Sequence, residues 1–167
     1  MKTLIVYYSL EGNTAWVAQQ LAAQLDADTL SLVPQKAYPD KGFAKFFWGG
    51  KSAKMKETPA LEAYGIEPAA YDRIILAGPV WAGTFAPPLR TFVKAHPLTD
   101  KAFAFVMCSA GGGADKAFAD LAALAKLPQN PPTLHLVDPK KKPDDGNMKK
   151  IAEFCEKLRT PQEGTAT

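Results

Sequence analysis

The segment Ser9-Leu10-Glu11-Gly12-Asn13-Thr14 gathers short hydroxyl and amide side chains around a glycine. It follows the apolar run Leu4 to Tyr8 and leads straight into a helical pattern, Val17/Ala18/Leu21/Ala22/Leu25. Those are the parts of a phosphate monoester site. Successive backbone N–H groups converge on the oxygens, the helix N-terminus favours negative charge, and the hydroxyls donate further bonds. The same residue types also serve as plain helix caps, since their side chains accept from first-turn N–H groups. The loop alone leaves the two readings level. No Lys, Arg or His lies within 9–14, so this loop offers dipoles and no countercharge.

Two more clusters follow apolar runs. Pro79-Val80-Trp81-Ala82-Gly83-Thr84 comes after Arg73 to Gly78, and Ser109-Ala110-Gly111-Gly112-Gly113 comes after Ala102 to Cys108. Trp81 offers a large flat apolar surface; its alternative role is core packing of the next helix on the sheet. The serine, alanine and glycines of the second cluster let backbone come close to a ligand. Other candidates carry less. Gly49-Gly50-Lys51-Ser52 resembles a P-loop ending, but Lys45 occupies the place of the required earlier glycine and no strand precedes it. Ser109 has no Gly-x-Ser-x-Gly elbow around it. His96 and His135 lie far apart and read as surface or strand residues, and Cys108 reads as a small buried residue at a strand end. No catalytic side chain or metal site is expected.

The elements that must position these clusters follow from hydrophobic periodicity. Leu4–Tyr8, Arg73–Gly78 and Ala102–Cys108 are nearly continuous apolar runs, as in strands covered on both faces. Thr29–Val33 and Thr133–Val137 alternate polar and apolar, as at the edges of a sheet. Helical spacing recurs in Leu89/Phe92/Val93, Phe118/Leu121/Ala122/Ala125 and Met148/Ile151/Phe154/Cys155/Leu158. The expected fold is α/β, a three-layer sandwich with a five-stranded parallel sheet in the order 2-1-3-4-5 and helices on both faces. Ligands then bind where strands 1 and 3 diverge. Residues 1–160 are expected to form one domain, with 161–167 a frayed tail. Between Pro34 and Pro68 the pattern is least regular. Phe43, Phe46 and Phe47 there suit the apolar stripe of a short helix ended by Gly49-Gly50, and Trp48 reads either as core packing or as a lid on the ligand.

Composition narrows the function class. The chain has 167 residues, 47% hydrophobic and 22% charged, which is ordinary for a globular protein. Two cysteines give no disulfide framework, and a reducing cytoplasm is the expected location. No apolar run is long enough to span a bilayer, so no membrane partner is expected. The net charge of +3 is too small to imply nucleic acid. The lysines are uneven: lysines 36, 41, 45, 51, 54 and 56 stand against one acid, Asp40, and Lys140-Lys141-Lys142 form a second cluster. The first reading of such runs is a solvated face; the sharper one is a docking surface at 36–56 for acidic redox partners.

Taken in order, the three loops carry a resemblance. Tyr8-Ser9-x-x-Gly12-Asn13-Thr14 resembles the phosphate loop of flavodoxins. Tyr71 to Thr84 resembles their third strand and first flavin-flanking loop, and Ser109 to Gly113 stands where they place the second. The resemblance implies that Ser9, Thr14, Asn13 and the N–H groups of Leu10, Glu11 and Gly12 hold the phosphate of FMN. It implies Trp81 against the flavin ring, Pro79, Val80, Ala82, Gly83 and Thr84 along the ring's polar edge, and Ser109, Ala110, Gly111 and Gly112 at its other side. Two positions depart from the family: Glu11 replaces a common hydroxyl, so its carboxylate must turn away, and Ala82 replaces a second aromatic. With no cation in these loops, the final one-electron reduction of a flavin is expected at low potential, unless a lysine from 34–68 folds over the site. The function expected first is an electron carrier between partner proteins. The alternatives are an FMN-dependent NAD(P)H reductase of quinones or similar oxidants, and a flavin-free phosphate-binding domain. A homodimer stays open.

Overall fold

A strand with apolar residues on both faces needs cover on both sides, and three segments meet that condition. In the computed structural model, which describes residues 1–97, 99–127 and 130–160, they become β1 (Thr3–Tyr7), β3 (Arg73–Trp81) and β5 (Ala102–Ser109). The strands β2 (Asp28–Ser31) and β6 (Thr133–Val137), with their alternating burial, lie at the edges. All five pair in parallel in the spatial order β2-β1-β3-β5-β6, which is the expected order once a sixth strand is counted. That strand is β4 (Thr84–Phe85), a two-residue return antiparallel to the end of β3. The expected tail, 161–167, lies outside the described residues.

Side-chain alternation divides the core. Ile5, Ile75, Ala77, Ala104 and Val106 face α1 (Asn13–Leu25) and α5 (Met148–Arg159) through Val17, Leu21, Ile151 and Phe154. Leu4, Val6, Ile74, Leu76, Phe105 and Met107 face α3 (Pro87–Ala95) and α4 (Asp115–Leu124) through Leu89, Phe92 and Leu121. Neighbouring residues of one strand thus serve opposite layers.

The remaining helix, α2 (Gly42–Lys54), departs from the sequence reading twice. It runs through Gly49-Gly50 instead of ending there, with Gly49 packed closely against the Trp81 ring at the end of β3 and Gly50 facing Ala82. Its phenylalanines are not a buried stripe. Phe43 is 80% exposed and Phe46 70%, whereas Gly49, Ser52 and Ala53 form the buried face. Trp48 is half exposed, so it is not core packing either.

Gly78, in the middle of β3, shows how closely α3 approaches. A Cβ there would stand 2.8 Å from Leu89 Cδ1. We expect Gly78→Val to lower stability in urea denaturation by about 1–3 kcal/mol, the usual cost of overpacking.

Both histidines are half-buried and hydrogen-bonded: His96 Nε2 lies 2.6 Å from Tyr64 Oη, and His135 Nε2 lies 2.8 Å from Ser109 Oγ. Burial, the largest cause in each case, holds both imidazoles below the usual 6.5; Lys150 adds to the effect at His135. The unfolded chain therefore takes up protons first as the pH falls. The stability these neutral side chains confer is complete above about pH 6.5 and is lost as the pH falls through the lower native values. Denaturant midpoints measured at about pH 7.5 and about pH 5.5 should differ accordingly, and the double variant His96→Gln, His135→Gln should flatten the difference.

Candidate functional site

At the carboxyl end of β1 the chain turns through 9–12 into α1. Ser9 Oγ accepts the Gly12 N–H at 3.2 Å, and no side chain caps the first turn of α1. Asn13 Oδ1 is taken by the Lys140 N–H at 3.1 Å. The simple helix-cap arrangement is therefore not what these residues form. The first turn of α1, free of a side-chain cap, instead borders a cleft whose wall includes Asn13 and Thr14, a placement that suits an anion site.

The cleft gathers most of the residues singled out from sequence. Ser9, Leu10, Glu11, Asn13 and Thr14 line it from the first loop, Pro79, Val80, Trp81 and Ala82 from the second, and Ser109 and Ala110 from the third. The others stand apart from its wall. Gly12 is the residue before α1, with φ +95°, and a Cβ there would lie 3.0 Å from Lys140 Nζ. Gly83, with φ +78°, forms with Ala82, φ +50°, the two-residue turn joining β3 to β4. Left-handed values at both positions match the twist of a tight hairpin. Thr84 points away and donates through Oγ1 to Asp120 Oδ2 at 2.7 Å. Gly111 and Gly112 lie beyond Ala110, with no heavy atom of another segment within 4 Å of where a Cβ would be.

Trp81 is held by its neighbours on the inner side. Its ring meets Tyr38 edge-on at 5.0 Å and Tyr8 at 5.5 Å, and a Cβ on Gly49 would stand 3.3 Å from its Cε3. It packs against α2 and these tyrosines rather than beneath α3, and it still borders the cleft. Burial, with Tyr38 adding to it, raises the Tyr8 phenol well above its usual range, so Tyr8 packs behind Trp81 as a neutral side chain. Cys108 also touches the cleft; burial pushes its thiol up to about 12 against the hydrogen bond from Thr14, so no thiolate forms near neutrality.

Several wall residues were missed from sequence. Lys45, Phe46 and Gly50 come from α2, and Asp138 comes from the turn after β6. Lys45 Nζ bonds Glu11 Oε1 at 2.6 Å, which shows where the Glu11 carboxylate turns. Lys140 adds a second ammonium group beside Gly12. The three loops lack cations, but α2 brings Lys45 into the cleft wall, and the turn after β6 brings Lys140 beside the first loop. A signal for the second existed, since every loop after a parallel strand opens on the same rim, and Asp138-Pro139-Lys140 follows β6 directly.

The geometry suits an FMN. An uncapped helix N-terminus beside a lysine fits a phosphate, and a tryptophan-walled cleft continuing to small residues fits a flat ring. Comparison with known proteins agrees in fold. A flavoprotein from Lactobacillus acidophilus NCFM, solved in complex with FMN, shares 22% identity and a TM-score of 0.66, covering 84% of this chain and 95% of its own. Flavodoxin 2 from Bacillus cereus shares 17% identity with a TM-score of 0.52, covering 93% and 96%. An NADH:FMN oxidoreductase in its apo form shares 15% with a TM-score of 0.54, covering 96% and 92%. A search of curated proteins finds no match. The family model described as flavodoxin matches residues 2–153. With nearly its whole length matched, the chain belongs to the flavodoxin family, and FMN is the cofactor its cleft is built to take.

Proposed function

We propose that the chain binds FMN in this cleft and passes electrons one at a time between partner proteins. The supporting observation is the meeting of Ser9–Glu11, Asn13 and Thr14 with residues 79–82 and with Ser109 and Ala110 around one cleft at the carboxyl ends of β1, β3 and β5. When bound, FMN supplies the redox chemistry, and the protein sets its potential. Ser9, Thr14 and the N–H groups of Leu10 to Asn13 bind the phosphate, with Lys140 as its countercharge. Trp81 shields one side of the ring from water. The backbone of Val80 to Ala82 would meet the ring's polar edge, and Gly83, in the turn just beyond the cleft wall, would give that backbone freedom to adjust. Ser109 and Ala110 would bring small side chains against the remaining edge, with Gly111 and Gly112 just beyond them. Because Lys45 is engaged by Glu11 and Lys140 stands at the phosphate end, the ring itself gains little positive charge, which keeps the last reduction step at low potential.

Anaerobic titration of the FMN-loaded chain with dithionite, followed by NADH and NADPH, tests the role. We expect two resolved one-electron steps in the visible spectrum and no reduction by either nucleotide. Direct two-electron reduction by NADH or NADPH assigns the chain to the reductases instead. A chain that stays colourless with added FMN leaves neither reading standing.

The phosphate assignment has its own check. Lys140→Met should weaken FMN binding about tenfold, the worth of a charge-assisted hydrogen bond. Riboflavin, which lacks the phosphate, should bind the variant as it binds the parent, with both affinities read from flavin fluorescence quenching.

A further inference from the structure

The exposed face of α2 is unlike the other helix surfaces described here. Four large aromatics point outward: Phe43 80% exposed, Phe46 70%, Trp48 50% and Phe47 49%. Phe43 and Phe47 stack one helical turn apart with ring centroids 6.1 Å away, and Trp48 sits edge-on to Phe47 at 5.2 Å. Together they form a continuous apolar ridge. Lys41, Lys51, Lys54 and Lys56 lie within or next to the same helix, all exposed, and Lys51 Nζ lies 5.2 Å from the Trp48 ring centroid. No acid occurs within α2. Leaving such a ridge in water costs free energy, and ridges of this kind mark contact sites.

Charge selects the occupant. Residues 36–56 carry six lysines against one acid, and 140–142 carry three more, while the whole chain nets only +3; the rest of the molecule is therefore net negative. Both clusters reach the same rim, since Lys45 meets the first loop at Glu11 and Lys140 meets it beside Gly12. A second copy of the chain would set lysines against lysines across a two-fold interface. An acidic protein matches the charge, but it would need a groove shaped to a convex ridge. An anionic lipid surface matches the charge and accommodates a ridge without any preformed groove. Phenylalanine and tryptophan rings settle at headgroup depth, and lysines extend their stems to reach the lipid phosphates.

We propose that α2 is a peripheral membrane-docking element that places its aromatic ridge in the headgroup layer of an anionic bilayer. The sequence expectation of no membrane partner came from the lack of a spanning segment, which a surface contact does not need. Because Phe46, Lys45 and Gly50 also line the cleft, docking would bring its mouth to the lipid surface, within reach of donors or acceptors held there. That last consequence rests on the FMN reading; the docking does not.

The FMN-loaded chain is to be sedimented with vesicles of phosphatidylcholine alone and with vesicles containing phosphatidylglycerol as well. We expect binding to the anionic vesicles only, weakening as salt is added. The variant Lys51→Glu, Lys54→Glu should lower partitioning at least about 25-fold, given the contribution of each lysine near an anionic surface. Phe43→Ser, Phe47→Ser should lower it by a similar factor. Neither pair lines the cleft, so both variants should keep the parent's FMN affinity, which also reports that they fold. The proposal is overturned if the parent ignores anionic vesicles at low salt, or if the phenylalanine variant binds them as well as the parent. It is also overturned if the parent forms a dimer that Phe43→Ser, Phe47→Ser breaks, or if it ignores vesicles yet binds immobilised polyglutamate through the same phenylalanines. Should the chain take up no FMN, the redox reading fails, and sedimentation of the flavin-free chain still decides the docking.

Discussion

β1 and β3 are neighbours in the sheet, yet the helices that follow them leave toward opposite faces. After β1 the chain passes into α1, which packs with α5; after β3 it passes through the β4 return into α3, which packs with α4. The Tyr8 N–H still reaches Ala77 O at 3.1 Å, and beyond that bond the two chains separate. No crossover covers the gap, because right-handed connections on either side carry the backbone away from it. The cleft is this gap. Its floor is the last ladder bond, and its walls are whatever the diverging loops present.

Its electrostatics follow from the same geometry. The first loop contributes oriented N–H groups and a carboxylate, and the carboxylate is neutralised by Lys45 arriving from α2. Further positive charge comes from the turn after β6, where Lys140 fits beside the start of α1 because Gly12 has no side chain in its way. Under the proposed binding mode a phosphate at this loop would gain both dipoles and a countercharge, while Trp81 gives the other side of the cleft an apolar surface. One end of the cleft therefore selects for charge and the other for flat apolar surface, which suits a phosphorylated aromatic cofactor better than a free anion.

The parts legible in the sequence are those fixed by neighbours along the chain. Ile5, Ile75 and Ala104 belong to runs that are apolar on both faces, so their central place in the sheet could be read directly, as could the edge positions of β2 and β6. The three loops could be read because each directly follows such a strand. Lys45 could not, since it reaches the cleft from α2, whose place is set by packing rather than by local pattern. The turn that carries Lys140, in contrast, directly follows β6 and was legible by the same rule as the three loops. The β4 return was hidden because Ala82 adopts a left-handed conformation more often taken by glycine or asparagine. The histidines read as unremarkable because their partners, Tyr64 and Ser109, lie 32 and 26 residues away.

The misreading of α2 has a different cause. Periodicity assigns the largest apolar residues of a helix to its buried face, which holds when burial of area decides the packing. At α2 the deciding demand is distance. Gly49 touches the Trp81 ring, and the Ser52 hydroxyl meets Tyr38 Oη at 2.7 Å, contacts that only the smallest side chains permit. A phenylalanine in either place would push the helix off the end of β3 and take Lys45, Phe46 and Gly50 away from the cleft wall. The close approach that completes the site thus reserves the inner face for glycine, serine and alanine. The aromatics of this segment have only the outer face left, so a well-formed cleft and an exposed ridge are two results of one packing constraint.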